Sequence, residues 1–246
     1  MLNKELKIYS IIPARSGSKG LSNKNIKNLG GKPLLAWSIA ASKKSKYISR
    51  TFVDTDSKEY ANLALTYGAE VPFLRPAEIS QDGSTDYEFV THFLNYLEED
   101  DYLPDVLVHL RPTTPFRDPI KIDLAIEIAI KAGEEFSALR SVHEMSETSF
   151  KTMGLDENDV LLGAFTKNYD LELLNAPRQS FAKTFSANGY VDILFPKIIK
   201  NNKQLHGSKV RGFLTEQVIE IDSQFDFMLC ELILENQIFS EKSIWS

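Results

Sequence analysis

The sequence predicts a doubly wound α/β fold, with helices covering both faces of a mostly parallel sheet. Short apolar runs of strand length alternate along the chain with longer amphipathic segments of helix length. Such a β–α–β rhythm places each crossover helix on a face of the sheet. The 246 residues, 43% of them hydrophobic, are enough to bury the core of one domain. Residues 1–246 are therefore expected to form a single domain.

The first half of the chain supplies the clearest elements. An apolar strand at 8–12 is followed by a loop and a helix at 30–45, in which Pro33 suits the first helical position. A strand at 50–55 precedes a helix at 56–68, with Asp56 expected as its N-cap. Further elements are a helix at 84–99 with Thr85 and Glu88 at capping-box spacing, a strand at 105–110 and a helix at 118–133.

The rhythm changes between residues 137 and 185. Short strand-like pieces with turn-forming breaks replace it, which predicts a small inserted segment that serves as a lid or a dimerisation arm. Beyond it we expect strands at 189–194 and 215–222 and a last helix at 223–236.

Composition excludes several classes of protein. A net charge of −6 argues against a broad nucleic-acid-binding surface, which needs clustered Lys and Arg. The N-terminus lacks the apolar stretch of a signal peptide and no run is long enough to span a bilayer, so we expect a soluble, cytoplasmic protein. Cys230 is the single cysteine, and its apolar surroundings predict a thiol packed in the core.

A basic loop follows the first strand, in "IIPARSGSKGLSNKN". Ligands of open α/β sheets bind beyond the carboxyl ends of strands, where this loop lies. Gly17 and Gly20 permit close approach of backbone N–H groups to a phosphate, while Arg15 and Lys19 would neutralise its charge. The alternative is a solvated surface loop. No P-loop or G-x-G-x-x-G pattern is present.

The ordered motifs resemble one enzyme family, the acylneuraminate cytidylyltransferases, which comprise CMP-sialic acid synthetases and bacterial legionaminate relatives. The resemblance extends from about residue 8 to 235 and includes "IPARSGSKGLSNKN", "GGKPLLAWSI", "VDTD", "GAEVPFLRPAEIS", "LRPTTPFR", "APRQ", "NGYV" and "IEIDSQFDF". It implies a three-layer Rossmann-like nucleotidyltransferase fold and a homodimer in which 137–185 is an inserted dimerisation segment contributing to the sugar site.

The resemblance also implies the reaction. Family members join CTP to a nine-carbon 2-keto sugar acid, forming a CMP-sugar and releasing pyrophosphate. Arg15 and Lys19 match the residues that hold the triphosphate and the leaving pyrophosphate. The matching nucleotide-binding positions are Ser18, Lys24, Asn25 and Arg75.

Mg²⁺ is the implied cofactor, since it binds one or two carboxylates together with phosphate oxygens. Glu220 and Asp222 are two residues apart, so on a strand both would point to the same face and form a metal pair. The family has Asp at both positions, which makes Glu220 a departure. Alternatively, Asp222 caps the following helix.

Sugar-side residues follow from the resemblance as well. Lys151, Arg178, Gln179 and Asn188 match positions near the acidic sugar, in its own or the partner subunit. Sialate enzymes usually have Gln where this chain has Arg111, also a candidate substrate-binding residue, and Arg where it has Ser186. These departures favour a legionaminate-like or other modified sugar acid over N-acetylneuraminate.

Other interpretations remain open at this point. Asp56 in "DTD" imitates a metal-binding D-x-D, but a helix cap is favoured, and His92 and His109 are expected to be packed residues. Rival functions are an octulosonate-type or sugar 1-phosphate nucleotidyltransferase, or a catalytically silent CTP-binding regulatory module. The intact Arg15, Lys19 and Asp222 argue against a silent module.

Overall fold

A six-stranded sheet organises the computed structural model, which describes residues 6–17, 20–99, 102–239 and 242–245. The strands are β1 (Ile8–Pro13), β2 (Asn28–Leu29), β3 (Lys32–Pro33), β4 (Arg50–Asp54), β5 (Val106–His109), β6 (Ala138–Glu144), β7 (Met153–Leu155), β8 (Leu161–Gly163), β9 (Phe185–Leu194) and β10 (Val210–Leu214). The helices are α1 (Leu34–Lys44), α2 (Lys58–Thr66), α3 (Asp86–Glu99), α4 (Pro119–Ala132), α5 (Pro196–Asn202), α6 (Gln224–Glu235) and α7 (Lys242–Trp245).

The central sheet has the order β10-β6-β9-β5-β1-β4. Strand β1 pairs in parallel with β4 and with β5, whereas β9 runs antiparallel to β5. The carboxyl ends of β1, β4 and β5 therefore lie at one edge of the sheet, where an open α/β sheet binds its ligands. The β2–β3 and β7–β8 pairs are separate short hairpins.

Helices pack on both faces of this sheet, as the alternating pattern predicts. Ile8 and Ile12 of β1 belong to an apolar cluster that includes residues of α1, α2 and α4, while Tyr9 and Ile11 belong to a second cluster with α3 and α5. Successive side chains of a strand point to opposite faces, so one apolar strand supplies both clusters. The doubly wound α/β prediction is confirmed.

Two helix starts differ from the sequence prediction. Ser57, not Asp56, caps α2, because its hydroxyl accepts a hydrogen bond from the Tyr60 N–H. Pro33 is the N-cap of α1 and precedes the first helical residue by one position. Both differences arise because several adjacent residues can cap a helix, and local backbone geometry selects among them.

The segment 215–222 is not a strand, contrary to expectation. Strand β10 ends at Leu214, and the following residues form no ladder, although the Ile221 N–H donates to the Thr113 carbonyl. Ile221 is buried by α6, which accounts for the apolar alternation that imitates a strand. Sequence reasoning also missed α5, a two-turn helix that begins at Pro196.

The chain divides into two units. The first comprises residues 1–141, 189–213 and 218–246, and the second comprises 142–188 with 214–217. The second unit contains the β7–β8 hairpin and several single turns of 3₁₀-helix. Sequence reasoning expected a distinct segment at 137–185.

No helix within the described part of the chain combines the length and apolar character needed to cross a lipid bilayer.

Candidate active site

A cavity of about 220 Å³ opens in the first unit beside the carboxyl ends of the parallel strands. Five residues predicted from the sequence as ligand-binding line it, although they come from distant parts of the chain. They are Arg15, Lys24, Asn25, Arg75 and Arg111, and the remaining lining residues are Pro13, Ser84, Asp86, Phe89, Pro112 and Thr113. Four cationic side chains around one small cavity suit a strongly anionic ligand.

The basic loop after β1 is shaped by bonds to its own backbone. Asn25 is buried and its amide donates to the Arg15 carbonyl at 3.1 Å. Asp56 accepts hydrogen bonds from both the backbone N–H and the hydroxyl of Ser16, at 2.7 and 2.8 Å. Asp56 therefore positions the loop instead of capping α2. Ser18 and Lys19, two of the predicted ligand-binding residues, lie outside the described residues.

Arg15 forms an ion pair with Asp82, with Nη2 and Oδ1 3.0 Å apart. About a third of the Arg15 side chain is exposed, so an anionic ligand can reach it. Gly20, on the far side of the loop, approaches the Asp222 backbone so closely that an added Cβ would lie 2.3 Å from the Asp222 carbonyl oxygen. Glycine is required there to bring the basic loop against the segment that precedes α6.

The Arg75 guanidinium is held by Asp54, the last residue of β4. Its Nε donates to Asp54 Oδ2 at 3.1 Å and its Nη2 donates to the Asp54 carbonyl at 3.2 Å. Burial raises the pKa of Asp54, although the adjacent Arg75 charge opposes this shift. The guanidinium also lies over the Phe89 ring, 4.6 Å from its centroid. These contacts fix Arg75 in the cavity wall.

Arg111 lies two residues beyond β5, between two carboxylates. Its Nη1 donates to Asp192 Oδ2 at 3.0 Å and its Nη2 donates to Asp86 Oδ2 at 2.7 Å. Asp86 is the first residue of α3, and Asp192 lies in β9 directly opposite His109. Sequence reasoning identified Arg111 but missed both carboxylates. An Asp within the apolar strand "GYVDIL" was the available signal.

Asp192 is almost completely buried. Its Oδ2 lies 3.4 Å from His206 Nε2, and its Oδ1 lies 3.7 Å from Arg140 Nε. Burial alone would raise the pKa of Asp192, but the hydrogen bond with His206 and the charge of Arg111 outweigh it and hold this pKa below its usual range. The carboxylate is therefore ionised at neutral pH.

Arg117, which sequence reasoning did not single out, organises the loop that follows β5. Its fully buried guanidinium donates to the carbonyls of Tyr190, Gly189 and Arg111 at 2.5, 2.8 and 2.7 Å, and also to the Thr114 carbonyl. Burial lowers the pKa of Arg117 to about 9, which still leaves it mostly charged at neutral pH. It connects the loop that carries Arg111 to the turn at Gly189.

The two expected metal ligands do not lie on a strand, because β10 ends at Leu214 and α6 begins at Gln224, so strand alternation does not place both carboxylates on one face. Their environments also differ. Glu220 is half-buried against Gly189, where an added Cβ would lie 2.0 Å from Glu220 Oε1. Burial raises the pKa of Glu220, and the charge of Asp222 adds to the shift. Asp222 is exposed and forms an ion pair with Lys24, with Nζ and Oδ1 2.8 Å apart. Ser223, not Asp222, caps α6.

These residues fit a magnesium ion that is completed by phosphate oxygens. Two carboxylates are the donor set that Mg²⁺ takes in phosphoryl-transfer sites. Asp222 already binds a cation, the ammonium group of Lys24, and its charge disfavours ionisation of Glu220. No group of three or more His, Cys, Asp or Glu side chains in metal-binding geometry occurs among the residues described.

The second unit holds the remaining predicted residues and has its own cavity of about 380 Å³, but Lys151 and Asn188 are not among the residues that line it. Arg178 and Gln179 line this cavity, and Arg178 donates to Glu144 at 3.0 Å and to the Met145 carbonyl at 2.7 Å. Lys151 donates to the Ala176 carbonyl at 2.8 Å. Asn188 is buried and donates to the Thr215 hydroxyl at 2.6 Å.

The residues expected to be packed are packed. Cys230 is buried, and burial raises the pKa of its thiol to about 12, so the thiol is protonated. His109 is buried with its ring edge against Phe89, and His92 packs in the same way against Phe73.

Comparison with known proteins decides the family. Residues 9–185 match the family model described as Cytidylyltransferase. The chain belongs to the cytidylyltransferase family. The predicted resemblance is confirmed.

Named relatives of this cytidylyltransferase are similar over most of its length. It is 34% identical over 233 residues to the N-acylneuraminate cytidylyltransferase of Escherichia coli O18:K1:H7, covering 94% of the chain but only 53% of that protein. It is 31% identical over 233 residues to the CMP-N,N'-diacetyllegionaminic acid synthase of Legionella pneumophila, covering 94% of the chain and 97% of that protein. It therefore spans about half of the first relative and nearly all of the second.

Solved structures share the fold. A CMP:2-keto-3-deoxy-manno-octonic acid synthetase in complex with CTP superimposes with a TM-score of 0.70 at 14% identity, covering 94% of the cytidylyltransferase and 99% of that chain. A 4-diphosphocytidyl-2C-methyl-D-erythritol synthase from Anaerococcus prevotii gives a TM-score of 0.61 at 13% identity, covering 94% and 100%. The expected Rossmann-like nucleotidyltransferase fold is confirmed.

Proposed function

We propose that this cytidylyltransferase joins CTP to a nonulosonic acid, a sialic- or legionaminic-like 2-keto sugar acid, to give a CMP-sugar and pyrophosphate. The supporting observation is the convergence of Arg15, Lys24, Asn25 and Arg75 on one cavity at the carboxyl edge of the sheet. The named relatives act on sugars of this class.

In the proposal, the nucleotide occupies the side of this cavity that is lined by Arg15, Lys24, Asn25 and Arg75, and the sugar extends towards Arg111 and Asp86. Arg15 and Lys24 pair with the triphosphate, and Lys19 of the same loop joins them. Asn25 and Arg75 hold the nucleoside, since both are fixed by backbone or carboxylate partners before the ligand arrives. Groups that are already oriented lose little conformational freedom on binding, which favours affinity and alignment.

Transfer requires the anomeric hydroxyl of the sugar to attack the α-phosphate in line with the leaving pyrophosphate. Arg15 and Lys19 stabilise the charge that spreads over the phosphate oxygens. Mg²⁺, held by Glu220 and Asp222, would supply further neutralisation of the triphosphate. Lys24 would then leave Asp222 and pair with a phosphate oxygen.

In the proposal, the carboxylate of the acidic sugar is held by residues of the second unit, either of the same subunit or of the partner subunit. Arg178 and Lys151 supply cations for its carboxylate, and Gln179 and Asn188 supply amide groups. The second unit exposes several large apolar side chains, as a dimerisation surface does. They include Leu155, Phe165, Tyr169, Leu173 and Leu214. This surface supports a homodimer. A cytoplasmic site of action is a further part of the proposal.

Two alternatives are less favoured. An octulosonate-type enzyme shares the fold but would carry an acidic residue within the "LRPTTP" stretch, which this chain lacks. A silent regulatory module would not need Glu220 and Asp222 near the nucleotide loop.

The test is pyrophosphate release from CTP and Mg²⁺ across a panel of 2-keto sugar acids, with CTP binding measured by calorimetry. The wild type should turn over at least one sugar. Asp222→Asn should bind CTP but lose most of its activity, whereas Glu235→Gln, which removes an exposed carboxylate at the far end of α6, should retain it. CTP binding without turnover of any sugar acid would favour the regulatory module.

A further inference from the structure

The cavity wall around Arg111 has an unusual charge arrangement. One guanidinium is held by two carboxylates that come from different elements, Asp86 at the start of α3 and Asp192 in β9. Asp86 and Arg111 line the cavity, with 37% and 21% of their side chains exposed, while Asp192 lies behind them with 1% exposed. Arg111 is therefore a bridged cation, different from the exposed Arg15.

Asp192 fixes both the charge and the direction of Arg111. Burial of an unpaired carboxylate lowers the free energy of unfolding, and even a paired buried ion often adds little to that free energy. Asp192 also faces Arg140, His206 and His109, but Arg111 is the arginine that donates a hydrogen bond to it. Among the residues that the structure describes, neither Arg140 Nε nor Asp192 Oδ1 has a hydrogen-bond partner. The arrangement is thus better explained by orientation of Arg111 than by stability.

The pairing of Arg111 with two carboxylates determines which ligand groups this wall of the cavity can bind. Arg111 and the nearby Arg140 together balance Asp86 and Asp192, so Arg111 carries no uncompensated charge for a ligand carboxylate or phosphate. Its guanidinium has five N–H donors, of which the described bonds to Asp86 and Asp192 use two, and Asp86 presents acceptor oxygens to the cavity. The wall therefore offers a donor beside an acceptor with little net charge.

We propose that Asp86 and Arg111 select a neutral hydrogen-bonding substituent of the sugar, a hydroxyl or an acylamino group, and that Asp192 is the positioning residue for this selection. The inference rests on the proposed function, because it names the substrate feature read by the same site. A substituent that both donates and accepts satisfies both wall residues, whereas a charged substituent leaves one of them unpaired. A free amine, which is protonated at neutral pH, cannot accept a hydrogen bond and therefore leaves the Arg111 donor unpaired.

Three variants test the selection through charge. Asp192→Asn leaves Arg111 with a single carboxylate partner and makes the wall more positive. Arg111→Gln leaves Asp86 and Asp192 uncompensated and makes it more negative. The double variant removes one charge of each sign. Arg50→Gln is the matched control, since Arg50 also forms an ion pair but does not line this cavity.

The readout is the ratio of kcat/KM for matched sugars. The probes are N-acetylneuraminate, N,N'-diacetyllegionaminate and derivatives of each in which one neutral substituent is replaced by a free amine. For at least one position of the amine, Arg111→Gln should shift the ratio roughly tenfold towards the amine and Asp192→Asn should shift it away. Because Asp192 acts through Arg111, the double variant should give a ratio close to that of Arg111→Gln, and Arg50→Gln should not change the ratio.

Each outcome has a distinct meaning. A purely structural role for Asp192 would lower the melting temperature and every kcat/KM together, without changing the ratio, and would overturn the inference. Unchanged ratios in Arg111→Gln would also overturn it. Because the Arg111 side chain is partly exposed, Arg111→Gln still tests the inference if Asp192→Asn does not fold. Absence of pyrophosphate release from the wild type with every sugar would overturn the proposed function and the inference with it.

Discussion

Lys24 Nζ lies 2.8 Å from Asp222 Oδ1, so a lysine of the nucleotide loop binds the carboxylate expected to hold the metal. Only 12% of the Lys24 side chain is exposed, whereas 75% of the Asp222 side chain is. Lys24 also lines the cavity in which the triphosphate is proposed to bind. The Lys24 ammonium can therefore pair with the Asp222 carboxylate before the ligand binds and with a phosphate oxygen afterwards.

Substitution of Lys24 should separate these two roles. Lys24→Gln should weaken CTP binding by roughly tenfold or more, because a charge-assisted hydrogen bond to phosphate is lost. The Mg²⁺ concentration for half-maximal activity should fall or stay the same, because Asp222 no longer has a competing cation. Calorimetry with CTP and an Mg²⁺ titration of activity check both effects. Lys58→Gln, an exposed lysine of α2, is the control. A rise in the Mg²⁺ requirement would contradict the competition.

Gly189 is expected to control the position of Glu220. Gly189→Ala places a methyl group 2.0 Å from Glu220 Oε1, so the carboxylate must move. The half-saturating Mg²⁺ concentration should rise severalfold, in addition to a loss of roughly 1–2 kcal/mol in stability from the positive φ of 60°.

Gly133→Ala is a matched control for this change. Gly133 has a similar φ of 57°, but no atom of the described part of the chain lies within 4 Å of the added Cβ. It should therefore lose stability without changing the Mg²⁺ dependence. An identical Mg²⁺ dependence in both variants would show that Glu220 has no part in binding the metal.

The buried pair of Arg75 and Asp54 should matter for stability as well as for the nucleotide. Arg75→Met should lower the free energy of unfolding by about 3–5 kcal/mol, because it leaves the Asp54 carboxylate buried and unpaired. Adding Asp54→Asn should recover much of this loss. Arg50→Met breaks the more exposed pair with Glu70 and should cost about 1 kcal/mol or less. Urea denaturation of the wild type and the three variants gives the four free energies of unfolding. Equal losses in Arg75→Met and Arg50→Met would refute the argument from burial.

His109 should make the protein sensitive to moderate acid. Burial lowers the pKa of His109 to about 4, with the charge of Arg111 contributing, whereas the unfolded chain takes up this proton near its ordinary pKa of 6.5. Stability is therefore fully present above about pH 6.5 and declines as the pH falls towards 4, by on the order of 3 kcal/mol. His109→Gln should flatten this part of the curve of unfolding free energy against pH. Parallel curves for both proteins would contradict the assignment.

Sequence reasoning predicted the elements whose signal is carried by their own residues. Strand β1 and the amphipathic helix α4 were found because apolar spacing directly reflects which side chains meet the core. The segment at 215–222 misled for the same reason: Ile221 is buried by α6, so its alternation resembles that of a strand without any ladder.

Site residues that lie in a short sequence motif could be predicted. Residues whose role depends on a contact with a distant part of the chain were missed. Arg15, Lys24 and Arg75 lie in short motifs, and the structure brings them to one cavity. In the sequence, Asp192 is only an acidic residue within an apolar strand, and its role follows from its hydrogen bond with Arg111, 81 residues away in the chain. Likewise, Asp56 and Ser57 are both plausible caps in the sequence, and they are distinguished by the bond from the Tyr60 N–H to Ser57 and by the bonds from Ser16 to Asp56.

The most direct test of the central claim is phosphorus NMR of CTP incubated with the protein, Mg²⁺ and N,N'-diacetyllegionaminate or N-acetylneuraminate. The account predicts that the three CTP resonances are replaced by one phosphodiester resonance and one pyrophosphate resonance, only when a 2-keto sugar acid is present. CTP that remains intact with every such sugar, or that is consumed only with a sugar 1-phosphate, would contradict it.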